Sequence, residues 1–158
     1  MKHSQSGLTT IEFAMVAGAF FLMLFAMIEV ARAGFVWNTL DTVTRRAARV
    51  AAVCPPNHSA IYKVALFGSA DSAEPPSLLS GFTQANLKLE YLDEDFDATG
   101  GSFPIAFVRA SVVDYQHKVL IPGLGRVLDT PSFSTTLPVE SLGYQLGQAD
   151  RTCFGTSN

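Results

Sequence analysis

From Leu8 to Ile28 the chain carries a single charge, Glu12, and from Phe13 to Ile28 it carries none. A helix needs about 20 largely apolar residues to cross about 30 Å of hydrocarbon. The run is therefore predicted to be one spanning helix. Phe20, Phe21, Leu22, Met23, Leu24 and Phe25 stand in sequence and are apolar all round, which argues against the core helix of a globular protein. Beyond it, Ala33, Val36, Leu40, Val43, Ala47, Val50 and Cys54 recur at spacings of three and four, one face of a helix. Asp41, Arg45 and Arg49 lie four residues apart on another face, so Asp41 can pair with Arg45. No proline interrupts until Pro55-Pro56, which end the helix. One continuous helix from about Leu8 to Val53 is expected, roughly 70 Å long, part membrane span and part amphipathic stalk.

After Pro56 the pattern changes to short elements. Asn57-His58-Ser59 offers caps for a helix over "AIYKVALF", stopped by Gly68. The stretch "GSADSAEPPSLLSG" is too rich in Pro, Ser and Gly to be an element. "NLKLEYL" (86–92) alternates Leu87, Leu89 and Tyr91 against Lys88 and Glu90, a half-buried strand. "IAFVRASVVDY" (105–115) predicts a second strand, with Phe107, Arg109, Ser111, Val113 and Tyr115 on one face and Val108, Ala110, Val112 and Asp114 on the other. "SFSTTLPVE" (132–140) predicts a third, presenting Phe133, Thr135, Leu137 and Val139, with Pro138 marking an edge. The predicted fold is α+β: a long N-terminal helix packed against a small antiparallel meander.

Charge divides at the same boundary. Residues 1–54 carry +2 and the remainder −5, within a total of −3. An acidic soluble part lacks the basic footprint that nucleic-acid binding needs. Catalysis finds no support: there is no G-x-S-x-G, no phosphate-cradling glycine loop, and Pro122-Gly123 and Gly125 read as turn residues. No cofactor is implied. His3, His58 and His117 are scattered, without CxxC or HxxxH spacing. "DEDFDATGG" sets Asp93, Asp95 and Asp97 at alternate positions, like the start of a calcium loop. Ala98 replaces the glycine at the sixth position and Pro104 the glutamate at the twelfth, so a solvated hairpin loop is the favoured reading.

Two N-terminal processing schemes compete. Ala31-Arg32-Ala33 has the small residues of a secretory cleavage site after an apolar run. However, the run exceeds the usual 7–15-residue core of such signals, and the helical pattern continues past Ala33. The other scheme starts from the polar leader "MKHSQSG", which ends in Gly7 directly before "LTTIEF". This resembles the class III signal of type IV pilins and pseudopilins. Ile11-Glu12-Phe13-Ala14, Glu29-Val30-Ala31-Arg32 and Ala47-Ala48-Arg49 narrow the resemblance to the TadE-like family (TadE or TadF) of the tight-adherence pilus.

The resemblance implies three segments: a leader, 1–7; a transmembrane and stalk helix, 8–54; and an extracytoplasmic α+β domain, 55–158. It implies cleavage by a prepilin peptidase between Gly7 and Leu8, which would leave a positive amine on Leu8. Glu12, with Phe13 beside it, would be the assembly residue, its carboxylate compensating such an amine, commonly a neighbour's. Implied partners are other pilin and pseudopilin subunits, the peptidase, the inner-membrane assembly platform and membrane lipid. The implied place is the bacterial inner membrane, single-pass with the C-terminal domain in the periplasm, or the extracellular pilus. Ala14 and Gly18 form a small-xxx-small pair suited to close helix approach in lipid. Glu29 and Arg32, at i and i+3, can neutralise each other as the helix leaves the membrane.

Positive-inside counting sets Lys2 against Arg32, Arg45, Arg46 and Arg49, and alone favours a cytoplasmic C-terminal domain. Cys54 and Cys153 favour the opposite side if they pair, since an oxidising periplasm would permit a disulfide closing about a hundred residues. Two buried thiols are the other possibility. The alternative to a filament subunit is a bitopic or secreted envelope domain that binds a ligand and never assembles.

Overall fold

A computed structural model describes residues 6–70, 78–120, 127–147 and 151–153. The leader residues 1–5, the centre of the Pro-rich loop (71–77) and the Pro122, Gly123 and Gly125 turn fall outside the described residues. Helix α1 runs unbroken from Ser6 to Val53. α2 spans Ser59–Ala65, and the strands are β1 (Leu87–Leu92), β2 (Phe107–Val112), β3 (Gln116–Lys118), β4 (Val127–Asp129) and β5 (Ser134–Pro138). β1, β2 and β5 form an antiparallel sheet in that order, so β5 with its Pro138 is an edge. β3 and β4 form a separate antiparallel pair between β2 and β5 in the chain. The fold is α+β, a long helix laid against a small sheet.

The sheet turns one face to α1. Val108, Ala110 and Val112 of β2 are buried, and their register partners on β1 are Tyr91, Leu89 and Leu87. Leu137 and Thr135 of β5 stand beside Val108 and Ala110 on the same face. α1 meets them with Val36, Leu40, Val43, Ala47 and Ala48. Leu40 is fully buried, a contribution of about 2 kcal/mol from removing its side chain from water. Thr44, also fully buried, places its hydroxyl 3.1 Å from that of Thr135 and donates or accepts across the helix–sheet seam. Ala51, Ala52, Ala60 and Ile61 continue the core under α2. Alanines at these contacts let the two helices approach closely.

Three local expectations need correction. The strand expected over 105–115 ends at Val112, because Asp114 takes a left-handed φ of 52° and turns the chain out of the sheet. Val113 and Tyr115 therefore do not continue the face of Phe107, and Tyr115 is buried against Phe82 instead. Helix α2 ends at Ala65 with Phe67, not Gly68, in the left-handed position at φ 66°. The Gly68 N–H reaches the Lys63 carbonyl and the Phe67 N–H that of Val64, closing the helix end. Arg46 of α1 lies over the Phe67 ring, 4.4 Å from its centroid, holding the residue there. Finally, the β3–β4 pair has no counterpart in the sequence reading.

The far end of α1 is closed by distant chain. The N–H groups of Glu140 and Leu142 bond the Ala52 carbonyl, and that of Gly143 bonds the Val53 carbonyl at 2.6 Å. Carbonyls of a last helical turn have no partner within the helix, and here a segment some ninety residues later supplies it. Cys54 and Cys153 form a disulfide at the same pole, Cα–Cα 4.8 Å, both sulfur-bearing residues buried.

Candidate functional site

The candidate site is α1 itself, which divides into three zones. The first, from Gly7 to Ile28, packs on no other described element. Leu8, Ile11, Phe13, Phe20, Phe21, Met23 and Ile28 are all half or more exposed. No other described element covers this zone, and exposing so much apolar surface to water is unfavourable. It is long and apolar enough to cross a membrane.

Gly7, Leu8, Glu12, Phe13, Ala14 and Gly18 all lie in this zone and are exposed. A Cβ added at Gly18 meets no atom within 4 Å, so packing among the described residues leaves this position open. Among the described residues Glu12 has no ion-pair partner. An isolated carboxylate at a bilayer edge is costly unless something outside the described chain compensates it.

The second zone is a polar collar at the first charges after the span. The Glu29 carboxylate accepts from Arg32 Nη1 at 2.9 and 2.8 Å. It also receives His117 Nε2 at 3.0 Å and the Leu120 N–H at 3.4 Å. A carboxylate only accepts, so His117 donates and carries its proton on Nε2. His117 is in the middle of β3, paired by backbone register with Leu128. Its side chain is 4% exposed and that of Glu29 12%. Burial raises the Glu29 carboxyl, but the bonds from His117, Leu120 and Arg32 outweigh it and hold the group below the ordinary carboxylate range.

His117 and Leu120 are the functional-zone residues that sequence reasoning missed. Gln116, His117 and Lys118 are all polar, so no alternation in the sequence marks the strand, and the burial of His117 shows only in the fold.

The third zone is the stalk proper, buried on one side by the sheet and exposed on the other, where Arg45 Nε meets Asp41 at 3.1 Å. The acidic loop lies at the opposite pole from the span. There the Asp93 carboxylate accepts the N–H groups of Asp95, 3.0 Å, and Asp97, 2.9 Å, and so ties its own turn. Among the described residues no three His, Cys, Asp or Glu side chains converge in a way that could hold a metal.

Residues 7–49 match the family described as TadE-like protein. The match opens on Gly7, takes in the apolar zone and the Glu29–Arg32 collar, and ends at Arg49 in the stalk. The sheet domain lies outside it. No curated protein and no solved structure matches the chain.

Proposed function

Taking the TadE-like segment at residues 7–49 as premise, we propose that this protein is a minor pilin or pseudopilin subunit of a tight-adherence pilus. The observation that carries the proposal is the unburied apolar zone of α1, continuous through the collar with a stalk buried in the head. Such a helix serves as a membrane anchor and, later, as the surface along which subunits pack.

In this reading a prepilin peptidase cuts after Gly7. The new amine on Leu8 and the carboxylate of Glu12 then supply opposite charges near the membrane boundary. Two buried opposite charges offset much of each other's desolvation, while either alone is penalised. A neighbour's amine on Glu12 fixes the axial stagger between helices, and Ala14 and Gly18 allow them to approach. The head stands on the periplasmic side, which the Cys54–Cys153 disulfide supports. The role is structural rather than catalytic.

The secreted alternative is weakened by the collar. Cleavage after Ala33 would remove Glu29 and Arg32, and with them the anchor of His117. N-terminal sequencing of the mature protein separates the readings. A start at Leu8 is the expected result; Gly34 would identify a secreted domain, and Met1 a plain bitopic protein.

A further inference from the structure

The Glu29 collar fixes the height of the head above the bilayer. Leu8 to Ile28 rises about 31 Å along a helix, the thickness of the hydrocarbon layer. Glu29 is the next residue. His117 and the Leu120 N–H are bonded directly to it, so the end of β3 is held at the level where the helix leaves the lipid tails.

The surface at that level is not one suited to water. Leu120 is 68% exposed, Phe35 58% and Leu78 50%. All three line a cleft of about 320 Å³ that also receives Arg32, Tyr115 and Lys118. Side chains of a helix tilt towards its N-terminus, so Phe35, about 9 Å above Glu29 along the axis, leans towards the membrane. Arg32 engages Glu29 through a single terminal nitrogen, which leaves its other N–H groups for a second acceptor. Lys118 is exposed on β3 beside it, and its long stem can lie on apolar surface while the ammonium reaches phosphate.

We propose that the base of the head is a lipid-docking surface, which seats Leu120, Phe35 and Leu78 in the interfacial layer of the bilayer and presents Lys118 and Arg32 to the phosphates of anionic phospholipid. Continuity with the span selects this occupant, since lipid already surrounds α1 up to Ile28. Glu29 offsets the charge of Arg32, so the surplus positive charge of Lys118 at this rim selects anionic headgroups over neutral ones. This inference rests on the membrane-span reading above, and not on processing or assembly. Its consequence is orientation: a subunit docked at its base stands in one pose relative to the bilayer rather than swinging about the span.

The test uses the full chain with Trp37→Phe and Leu120→Trp, one copy per lipid nanodisc, with phospholipids brominated high on the acyl chain. Discs of phosphatidylcholine alone are compared with discs containing phosphatidylglycerol, and a closed disulfide reports the folded head. Roughly twofold quenching is expected in the anionic discs, falling by about half with Lys118→Glu and weaker in phosphatidylcholine. A companion Phe20→Trp chain, in the same Trp37→Phe background, reports the span. If Phe20→Trp is quenched and Leu120→Trp is not, docking is overturned while the span stands. If neither is quenched, the span reading falls and takes docking with it. Equal quenching in the two lipids overturns the anionic assignment. Protection of the Leu120→Trp indole only with two copies per disc overturns lipid in favour of a second subunit.

Discussion

His117 lies 3.0 Å from Glu29, across 88 residues of chain, and joins the end of a short strand to the point where α1 leaves its apolar zone. Three donors converge on that one carboxylate, from Arg32, His117 and the Leu120 backbone. The base of the head is thereby attached to the helix by polar contacts, whereas above it apolar packing is joined by the Thr44–Thr135 contact, the bonds to the Ala52 and Val53 carbonyls and the disulfide.

Glu29→Gln and His117→Ala should each destabilise the attachment of β3 by about 1–3 kcal/mol, since each leaves a buried partner unsatisfied. The two effects should not add: a double-mutant cycle is expected to return a coupling of about 1 kcal/mol or more. Amide hydrogen exchange over 115–120 in detergent-solubilised protein reads it directly. Additive losses would mean that the contact carries no energy of its own.

The same carboxylate sets a pH dependence. Its folded pKa is depressed relative to the unfolded chain, so its contribution is present in full above about pH 5. The contribution is lost as pH falls through the folded value, below the ordinary carboxylate range. Exchange protection at 115–120 should fall on acidification in the native chain. In Glu29→Gln the protection should already be low and should no longer follow that titration.

The disulfide closes a loop of 99 residues between the end of the stalk and the C-terminal segment. Chain-entropy arguments assign about 4–5 kcal/mol to a loop of that size, and measured losses usually fall at about 2–5. Cys54→Ser, or reduction of the native protein, should lower the melting temperature by roughly ten degrees. Thermal unfolding with and without reductant checks it, and a shift of under about two degrees would exclude a stabilising role.

Among the described positive-φ glycines of the head, Gly143 should be the least tolerant of a side chain. Its φ is +79°, and a Cβ there would meet Pro55 at 2.6 Å and the Thr152 carbonyl at 2.9 Å. Gly143→Ala should cost upwards of about 2 kcal/mol and slow closure of the neighbouring disulfide. Gly100→Ala is the control. Gly100 also has positive φ, at +62°, but nothing lies within 4 Å of its added Cβ, so about 1 kcal/mol is expected. Thiol titration during oxidative refolding distinguishes the two.

Glu12→Ala should leave the melting temperature of the head unchanged, because no described residue bonds to Glu12 and the position is exposed. Incorporation into pili should fail. Full complementation by the variant in cells lacking the native subunit would remove Glu12 from the assembly argument.

The long helix was legible because its signal is redundant: an uncharged run followed by some twenty residues at spacings of three and four, with prolines beyond. β1 and β5 were legible from alternation, and Pro138 correctly marked an edge. The end of β2 was not, because one residue, Asp114, departs from extended geometry in a run whose side chains still alternate plausibly. At the candidate site, Glu29 and Arg32 share a helix face by spacing alone. The third partner could not be read, since no local pattern couples His117 to a residue 88 positions earlier. Its three-residue strand depends on a pairing with β4 that sequence periodicity does not announce. Capping of the Ala52 and Val53 carbonyls by residues 140–143 is of the same kind, a long-range closure of a locally ordinary helix end.

The disulfide also fixes how the molecule would carry load. Tension applied to residues beyond Cys153 passes through the sulfur bridge to Cys54 and down the backbone of α1. It bypasses the sheet, whose strands are held together by hydrogen bonds, packing and the Arg109–Glu90 ion pair. The head could be pulled from its outer end without unzipping: under traction it is a covalent extension of its own stalk.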